Sequence, residues 1–97
     1  KVGGIQMVVN GYGWHEMEKP PTSDQLLQTN QDWYHYIIEQ FGPERCMFES
    51  NFPVDKLSCS YTVLWNQFKK LTVGYSADER AAMFHDTAQR VYRLPKV

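Results

Sequence analysis

The side chains best suited to chemistry are concentrated in two short segments of this 97-residue chain, each of which follows an apolar run. They are Trp14 and His15 in the first segment, and Glu49, Asn51, Asp55 and Lys56 in the second. A loop histidine is suited to proton transfer or to contact with a substrate, and a carboxylate can act as a general base. The sequence therefore predicts that these two segments carry the functional groups.

Each of these residues also has a purely structural interpretation. His15 is equally consistent with an ordinary surface histidine, and Asn51 with a turn-forming residue before Phe-Pro. Glu49 lies two residues before Asn51, so on a strand both side chains share one face. There Glu49 either supplies a carboxylate for the chemistry or forms an ion pair with a Lys or Arg of a neighbouring strand. Asp55 and Lys56 form a charged pair that is typical of a solvated turn or of a substrate contact.

Two strands and the helix between them are predicted to position these segments. The runs 2–9 and 45–49 have the length of strands and are bounded by turn-forming residues. Between them, from Gln25 to Phe41, apolar residues recur at helical spacing. A helix that separates two strands makes a βαβ unit, in which the strands run parallel.

Further helices are predicted after the second strand. They begin near residues 58–60, at Ala77 behind the capping box Ser76–Glu79, and at Thr87 after a break or bend near Asp86. The expected fold class is α/β, a β-α-β-α-α fragment with two parallel strands. Because parallel strands are normally paired on both edges, this fragment is expected to belong to a larger barrel or to form a homo-oligomer through exposed strand edges.

Composition excludes several classes of function. The 10 basic residues nearly balance the 11 acidic ones without forming a basic run, so nucleic acid is not an expected partner. No apolar stretch approaches the roughly 20 residues needed to cross a bilayer, so no membrane role is expected. Cys46 and Cys59 form no C-x-x-C pair, which favours reduced, buried thiols and a cytoplasmic location. Lys1 leads directly into a strand-like run, which predicts that the chain is part of a longer protein.

The stretch from Phe41 to Pro53 resembles the last barrel strand of the amidohydrolase-related family, whose members are metal-dependent hydrolases and decarboxylases. It has a Phe-Gly-Pro lead-in, an arginine, an apolar run, and a Ser-Asn pair followed by Phe-Pro. Residues 76–80 and 88–94 resemble the closing helices, and residues 1–5 the preceding strand. The resemblance implies that residues 1–97 are a single partial domain, comprising the last two strands and closing helices of a (β/α)8 TIM barrel.

The resemblance also implies where the chemistry lies and what it needs. Barrels of this kind place their sites at the C-terminal ends of the strands, which here means residues 10–16 and 49–56. The complete protein is expected to bind a divalent metal ion, zinc most often. The family's His-x-His pair is absent from this chain, whose histidines are His15, His35 and His85, so no metal ligands are predicted within it.

At one position the sequence departs from the family pattern. Asn51 stands where the family usually has an aspartate that binds the metal or takes a proton from the attacking water, and an amide cannot accept that proton. Glu49 and Asn51 are predicted to be the catalytic residues. Trp14, His15, Asp55 and Lys56 are predicted to contact the substrate.

The resemblance implies a metal-dependent hydrolase of a small carbonyl compound such as an amide, ester or lactone, with a decarboxylase as the alternative within the family. The isolated chain is expected to be incomplete and inactive. Two other interpretations remain open, namely a non-catalytic homologue of the barrel, suggested by Asn51, and a self-associating interaction module.

Overall fold

A computed structural model describes residues 1–96, and helices dominate their architecture. The main helices are α1 (Ser23–Phe41), α2 (Tyr61–Leu71), α3 (Ala77–Ala81) and α4 (Thr87–Val91). Short 3-10 turns occupy the connections, at Val8–Asn10, Trp14–Glu16, Pro43–Arg45 and Val54–Leu57. Helices α1 and α2 pack against each other, and no helix among residues 1–96 is long and apolar enough to cross a membrane.

The predicted starts of the helices are confirmed by their caps. The Thr22 side chain accepts the backbone N–H of Gln25, whose own side chain accepts the N–H of Thr22. The same reciprocal arrangement joins Ser76 and Glu79 before α3. Ser60 caps α2. These contacts satisfy N–H groups that have no partner within the helix, so they fix where each helix begins.

The break or bend predicted near Asp86 takes the form of a change in helix type, and α4 begins at Thr87 as predicted. A π-helical turn, Ala82–Asp86, joins α3 to α4, and the backbone at Asp86 keeps helical angles with φ −69° and ψ −36°. Within this turn the carbonyl of Met83 accepts the backbone N–H of Phe48 at 3.0 Å. The π turn therefore ties the closing helices to the segment that precedes Asn51.

The predicted pair of parallel strands is not present in residues 1–96. Val2 and Phe48 form one isolated parallel bridge. Two hydrogen bonds accompany it, from the Val2 N–H to the Met47 carbonyl at 2.7 Å and from the Glu49 N–H to the Val2 carbonyl at 3.0 Å. The sequence-based prediction of a β-α-β-α-α fragment from a TIM barrel is therefore wrong as a description of this structure.

Local backbone chemistry explains the missing strands. Gly4 has φ +82°, a left-handed conformation that ends extended structure directly after the bridge. The apolar residues that follow continue into the 3-10 turn Val8–Asn10, and Pro43–Arg45 forms another such turn before the second predicted strand. The strand edges on which self-association was predicted are therefore absent from the described part of the chain.

The core lies between α1, α2 and the π turn. Phe68 is at its centre, with its ring 4.3 Å from that of Phe48 and 5.6 Å from that of Tyr34 between centroids. Not every aromatic residue of these helices is in the core, since Trp33 of α1 and Tyr61 of α2 are 61% and 54% exposed. The fully or nearly fully buried apolar residues are Val2, Leu26, Tyr34, Ile38, Cys46, Phe48, Cys59, Leu64, Phe68, Leu71 and Met83.

Candidate functional site

Three polar residues of the second sequence segment meet in one hydrogen-bonded cluster. Asn51 has φ 56°, and the 3-10 turn Val54–Leu57 follows it, so the chain folds back on itself within five residues. The Asn51 side-chain Nδ2 donates to Asp55 Oδ1 at 2.9 Å. Its backbone N–H donates to Glu49 Oε2 at 2.8 Å. Asn51 is thereby held between two carboxylates.

Gln6 extends this cluster across the core. It is 0% exposed, and its side-chain Nε2 donates to Asp55 Oδ2. Its Oε1 accepts from the Tyr34 hydroxyl at 3.3 Å, and its backbone carbonyl accepts from the Ser58 hydroxyl at 2.6 Å. A buried polar side chain is costly unless its hydrogen bonds are made, and here both ends of the amide have partners. Gln6 thus joins the N-terminal segment to α1 and to the turn after Asn51.

Burial raises the pKa of the Asp55 carboxyl, because the charged form loses its hydration when the side chain is 0% exposed. Hydrogen bonds from Asn51 and Gln6 lower the pKa, since they stabilise the carboxylate, and the nearby charge of Glu49 raises it. The net direction is upward. Asp55 therefore holds its proton to a higher pH in the folded protein than in the unfolded chain.

This shift predicts a pH-dependent stability that Asp55→Asn removes. An unfolded aspartate titrates near pH 4, so above about that pH the folded state binds more protons than the unfolded state. The free energy of unfolding therefore falls as the pH rises through the window between the unfolded and folded pKa of Asp55. Urea denaturation at a series of pH values measures this fall. Parallel pH profiles for the wild type and Asp55→Asn would contradict it, and the exposed Asp32→Asn is the control.

A cleft of about 420 Å³ lies beside the cluster, a volume in the range of small-molecule sites. It brings Trp14 and His15 of the first sequence segment to Lys56 of the second. The Ser58 side chain belongs both to the cleft wall and to the cluster, since it donates to Gln6. The lining residues are Trp14, His15, Met17, Glu18, Pro20, Lys56, Leu57, Ser58, Cys59 and Ser60.

Cys59 is one of the lining residues of the cleft and is nearly buried, with 3% exposure. Burial raises its pKa to about 11, and the charge of Asp55 adds to the shift. A thiol with this pKa is protonated at neutral pH and is a poor nucleophile. The cleft therefore offers hydroxyl, imidazole and ammonium groups rather than a thiolate.

The sequence-predicted site residues are divided between these two neighbouring places. Glu49, Asn51 and Asp55 form the hydrogen-bonded cluster, in which Asp55 is buried and the other two are partly buried, and none of the three lines the cleft. Trp14, His15 and Lys56 line the cleft. Sequence reasoning missed Gln6, Tyr34 and Ser58. A glutamine inside an otherwise apolar run was the one signal for Gln6, and the other two carried none.

The described residues do not fit a metal ion by themselves. Residues 1–96 contain no group of three or more His, Cys, Asp or Glu side chains placed to hold one. Both oxygens of the Asp55 carboxylate are already paired with amide donors from Gln6 and Asn51. A metal site would need ligands from beyond these residues.

Comparison with known protein families identifies the family of this chain. The sequence profile of the amidohydrolase family matches residues 11–94. The chain belongs to the amidohydrolase family. This amidohydrolase segment includes the cleft, the Glu49–Asn51–Asp55 cluster and all four helices, while Gln6 lies just before the matched range.

Two curated relatives resemble parts of this amidohydrolase chain. An uncharacterized protein, y4mH, of Sinorhizobium fredii is 60% identical over 57 residues, which are 59% of this chain and 19% of the relative. An L-fucono-1,5-lactonase of Burkholderia multivorans is 38% identical over 60 residues, which are 61% of this chain and 20% of the relative. The chain thus spans about a fifth of the length of these relatives. No solved structure matches it.

Proposed function

We propose that the protein containing this chain is a hydrolase that opens a small lactone ring. The observation that carries the proposal is the cleft lined by Trp14, His15 and Lys56, whose Ser58 donates to Gln6 and so joins the cleft to the Asn51–Asp55 cluster. Membership of the amidohydrolase family supports hydrolysis, and the lactonase among the relatives supports a lactone over an amide or ester.

The reaction adds water across the ring ester. The water oxygen bonds to the carbonyl carbon, the ring C–O bond breaks to give a hydroxyl group, and the new carboxyl group releases one proton at neutral pH. Glu49 is the proposed acceptor of the water proton, because Asn51 binds its Oε2 and leaves Oε1 without a hydrogen-bond partner among residues 1–96. Asn51, as a neutral amide, orients the water or a substrate hydroxyl.

Substrate recognition is assigned to the cleft. The Lys56 ammonium has no acidic partner within 4 Å among residues 1–96, so it is available to a hydroxyl oxygen of the lactone and to the carboxylate of the product. Trp14 supplies a flat apolar surface for the ring, and the ring of Tyr12 stacks on it with centroids 6.5 Å apart. His15 and Ser60 offer hydrogen bonds to hydroxyl groups.

The metal ion implied by the family resemblance is part of the proposal for the complete protein only. Zinc or another divalent ion would polarise the carbonyl and supply hydroxide there. Its ligands would come from beyond residues 1–96, since the donor groups described above do not form a set. The roles assigned to Glu49, Asn51 and Lys56 do not depend on its identity.

Lys56→Met in the longest natural polypeptide that carries this chain tests the assignment. With L-fucono-1,5-lactone as substrate, we expect KM to rise about tenfold, which is about 1.4 kcal/mol of binding, while kcat changes less. Proton release followed with a pH indicator gives both constants. The matched control is Lys69→Met, which removes an exposed lysine of α2 outside the cleft and should leave KM unchanged.

The results separate the alternatives. If the protein released carbon dioxide from a carboxylated substrate and opened no lactone, it would be a decarboxylase rather than a hydrolase. A second candidate, a non-catalytic relative, is favoured by the amide of Asn51 where a carboxylate is usual. That candidate is supported if wild-type protein binds the lactone and Lys56→Met weakens binding, while neither protein turns it over.

A further inference from the structure

The orientation of the Asn51 side chain is set by hydrogen bonds that run through Asp55. A carboxylate only accepts hydrogen bonds, so the amide group that faces it must present nitrogen. Asn51 presents Nδ2 to Asp55 Oδ1 at 2.9 Å. The Asn51 Oδ1 therefore points to the other side, and it accepts no hydrogen bond from residues 1–96.

The position of Asp55 depends in turn on Gln6. Gln6 Nε2 donates to the second carboxylate oxygen, Asp55 Oδ2, and the Tyr34 hydroxyl donates to Gln6 Oε1. The Tyr34 contact keeps the nitrogen of Gln6 directed at Asp55. Hydrogen bonds thus link Tyr34 to Gln6 and Gln6 to Asp55, and Asp55 accepts from Asn51 on its other oxygen.

Burial alone does not explain this arrangement. Gln67 on α2 is also 0% exposed, yet neither its Nε2 nor its Oε1 has a hydrogen-bond partner among the described residues. Gln6 by contrast is satisfied at both ends of its amide and at its backbone carbonyl. This fold therefore tolerates a fully buried glutamine whose side chain makes no hydrogen bond within the described residues. The Gln6 side chain does make hydrogen bonds, and one of them holds Asp55, the partner of Asn51.

We propose that Gln6 is a positioning residue, which acts through Asp55 to hold the Asn51 amide with its oxygen free for a water or hydroxyl group of the substrate. The proposal rests on the proposed function, because Asn51 needs the free oxygen only if it contacts a substrate. Neither the family match, which begins at Gly11, nor the sequence pattern assigns a role to Gln6. Gln6 itself contacts no substrate in this scheme.

The test replaces Gln6 with leucine in the longest natural polypeptide that carries this chain. With L-fucono-1,5-lactone we expect kcat to fall about 10- to 100-fold, and KM to stay within about threefold, because binding through Lys56 is untouched. A crystal structure of the variant should show that the 2.9 Å contact between Asn51 and Asp55 is lost. Gln67→Leu, the matched control, should retain the wild-type kcat.

Tyr34→Phe is the second variant, since it removes the hydroxyl group at the far end of the chain and keeps the buried ring. We expect a smaller fall in kcat, about two- to fivefold, at unchanged KM. If Gln6→Leu does not fold, the kcat and crystal structure of Tyr34→Phe decide the question.

The inference is overturned if a folded Gln6→Leu variant keeps the wild-type kcat and the Asn51–Asp55 contact. If the wild-type protein opens no lactone, the proposed function fails, but the crystal structures still answer the question of positioning. An intact Asn51–Asp55 contact in Gln6→Leu then overturns the inference, and a lost contact supports it.

Discussion

Replacing Phe68 with alanine is expected to lower the free energy of unfolding by about 3–5 kcal/mol. Phe68 is 0% exposed and contacts aromatic rings on three sides, namely those of Phe48, Tyr34 and Trp65. Deleting its ring removes the transfer free energy of the buried surface and leaves a cavity that these rigid neighbours fill poorly. Urea denaturation measures the change.

The control for this prediction is Trp33→Ala. Trp33 is also an aromatic residue, but it lies on the solvent side of α1 with 61% exposure. We expect a change of less than about 1 kcal/mol there. A loss of similar size at both positions would mean that helix propensity rather than core packing determines the stability, and that Phe68 is not the centre of the core.

Replacing Gly3 with alanine is expected to destabilise the fold by about 1–3 kcal/mol or more. A Cβ at this position would lie 2.2 Å from the backbone carbonyl oxygen of Glu49 and 2.9 Å from its Oε1. The carbonyl belongs to the segment that bridges to Val2, so it cannot move without separating the two bridged segments. The substitution therefore acts on the fold and on the Glu49 carboxylate together.

Gly74→Ala is the matched control, because a Cβ added there has no heavy atom within 4 Å. We expect its midpoint of thermal unfolding to be unchanged or slightly raised, since alanine restricts the unfolded chain. Equal midpoints for Gly3→Ala and Gly74→Ala would show that the close approach of residues 3 and 49 is not required. A selective loss at Gly3 would support the single bridge as an essential part of this structure.

The helices were predictable from the sequence because their signals are local. Thr22 and Ser76 each stand three residues before a side chain that completes a capping box, so the sequence alone determines both helix starts. The strands were not predictable, because an apolar run has strand length in many structures that are not sheets. Gly4 ends the first predicted strand. The second is held instead by Met83, whose carbonyl accepts the N–H of Phe48 from 35 residues away along the chain.

In the candidate site, too, contacts between residues close in the sequence were predictable and contacts between distant residues were not. Glu49, Asn51 and Asp55 lie within seven residues of each other, so their proximity could be read from the sequence. Gln6 meets Asp55 across 49 residues and Ser58 across 52. Such pairs are decided by tertiary packing, and one sequence carries no record of them. The burial of Asp55 was missed for this reason, since its partner lies in the N-terminal segment.

The buried thiol of Cys59 has a consequence for oxidative chemistry. With a pKa of about 11, the thiol stays protonated at pH 7. Oxidants and alkylating reagents attack the thiolate, and the 3% exposure of the side chain restricts their approach as well. The Cys59 thiol is thus protected from peroxide in the folded protein, and its rate of alkylation reports how often the folded protein exposes this side chain.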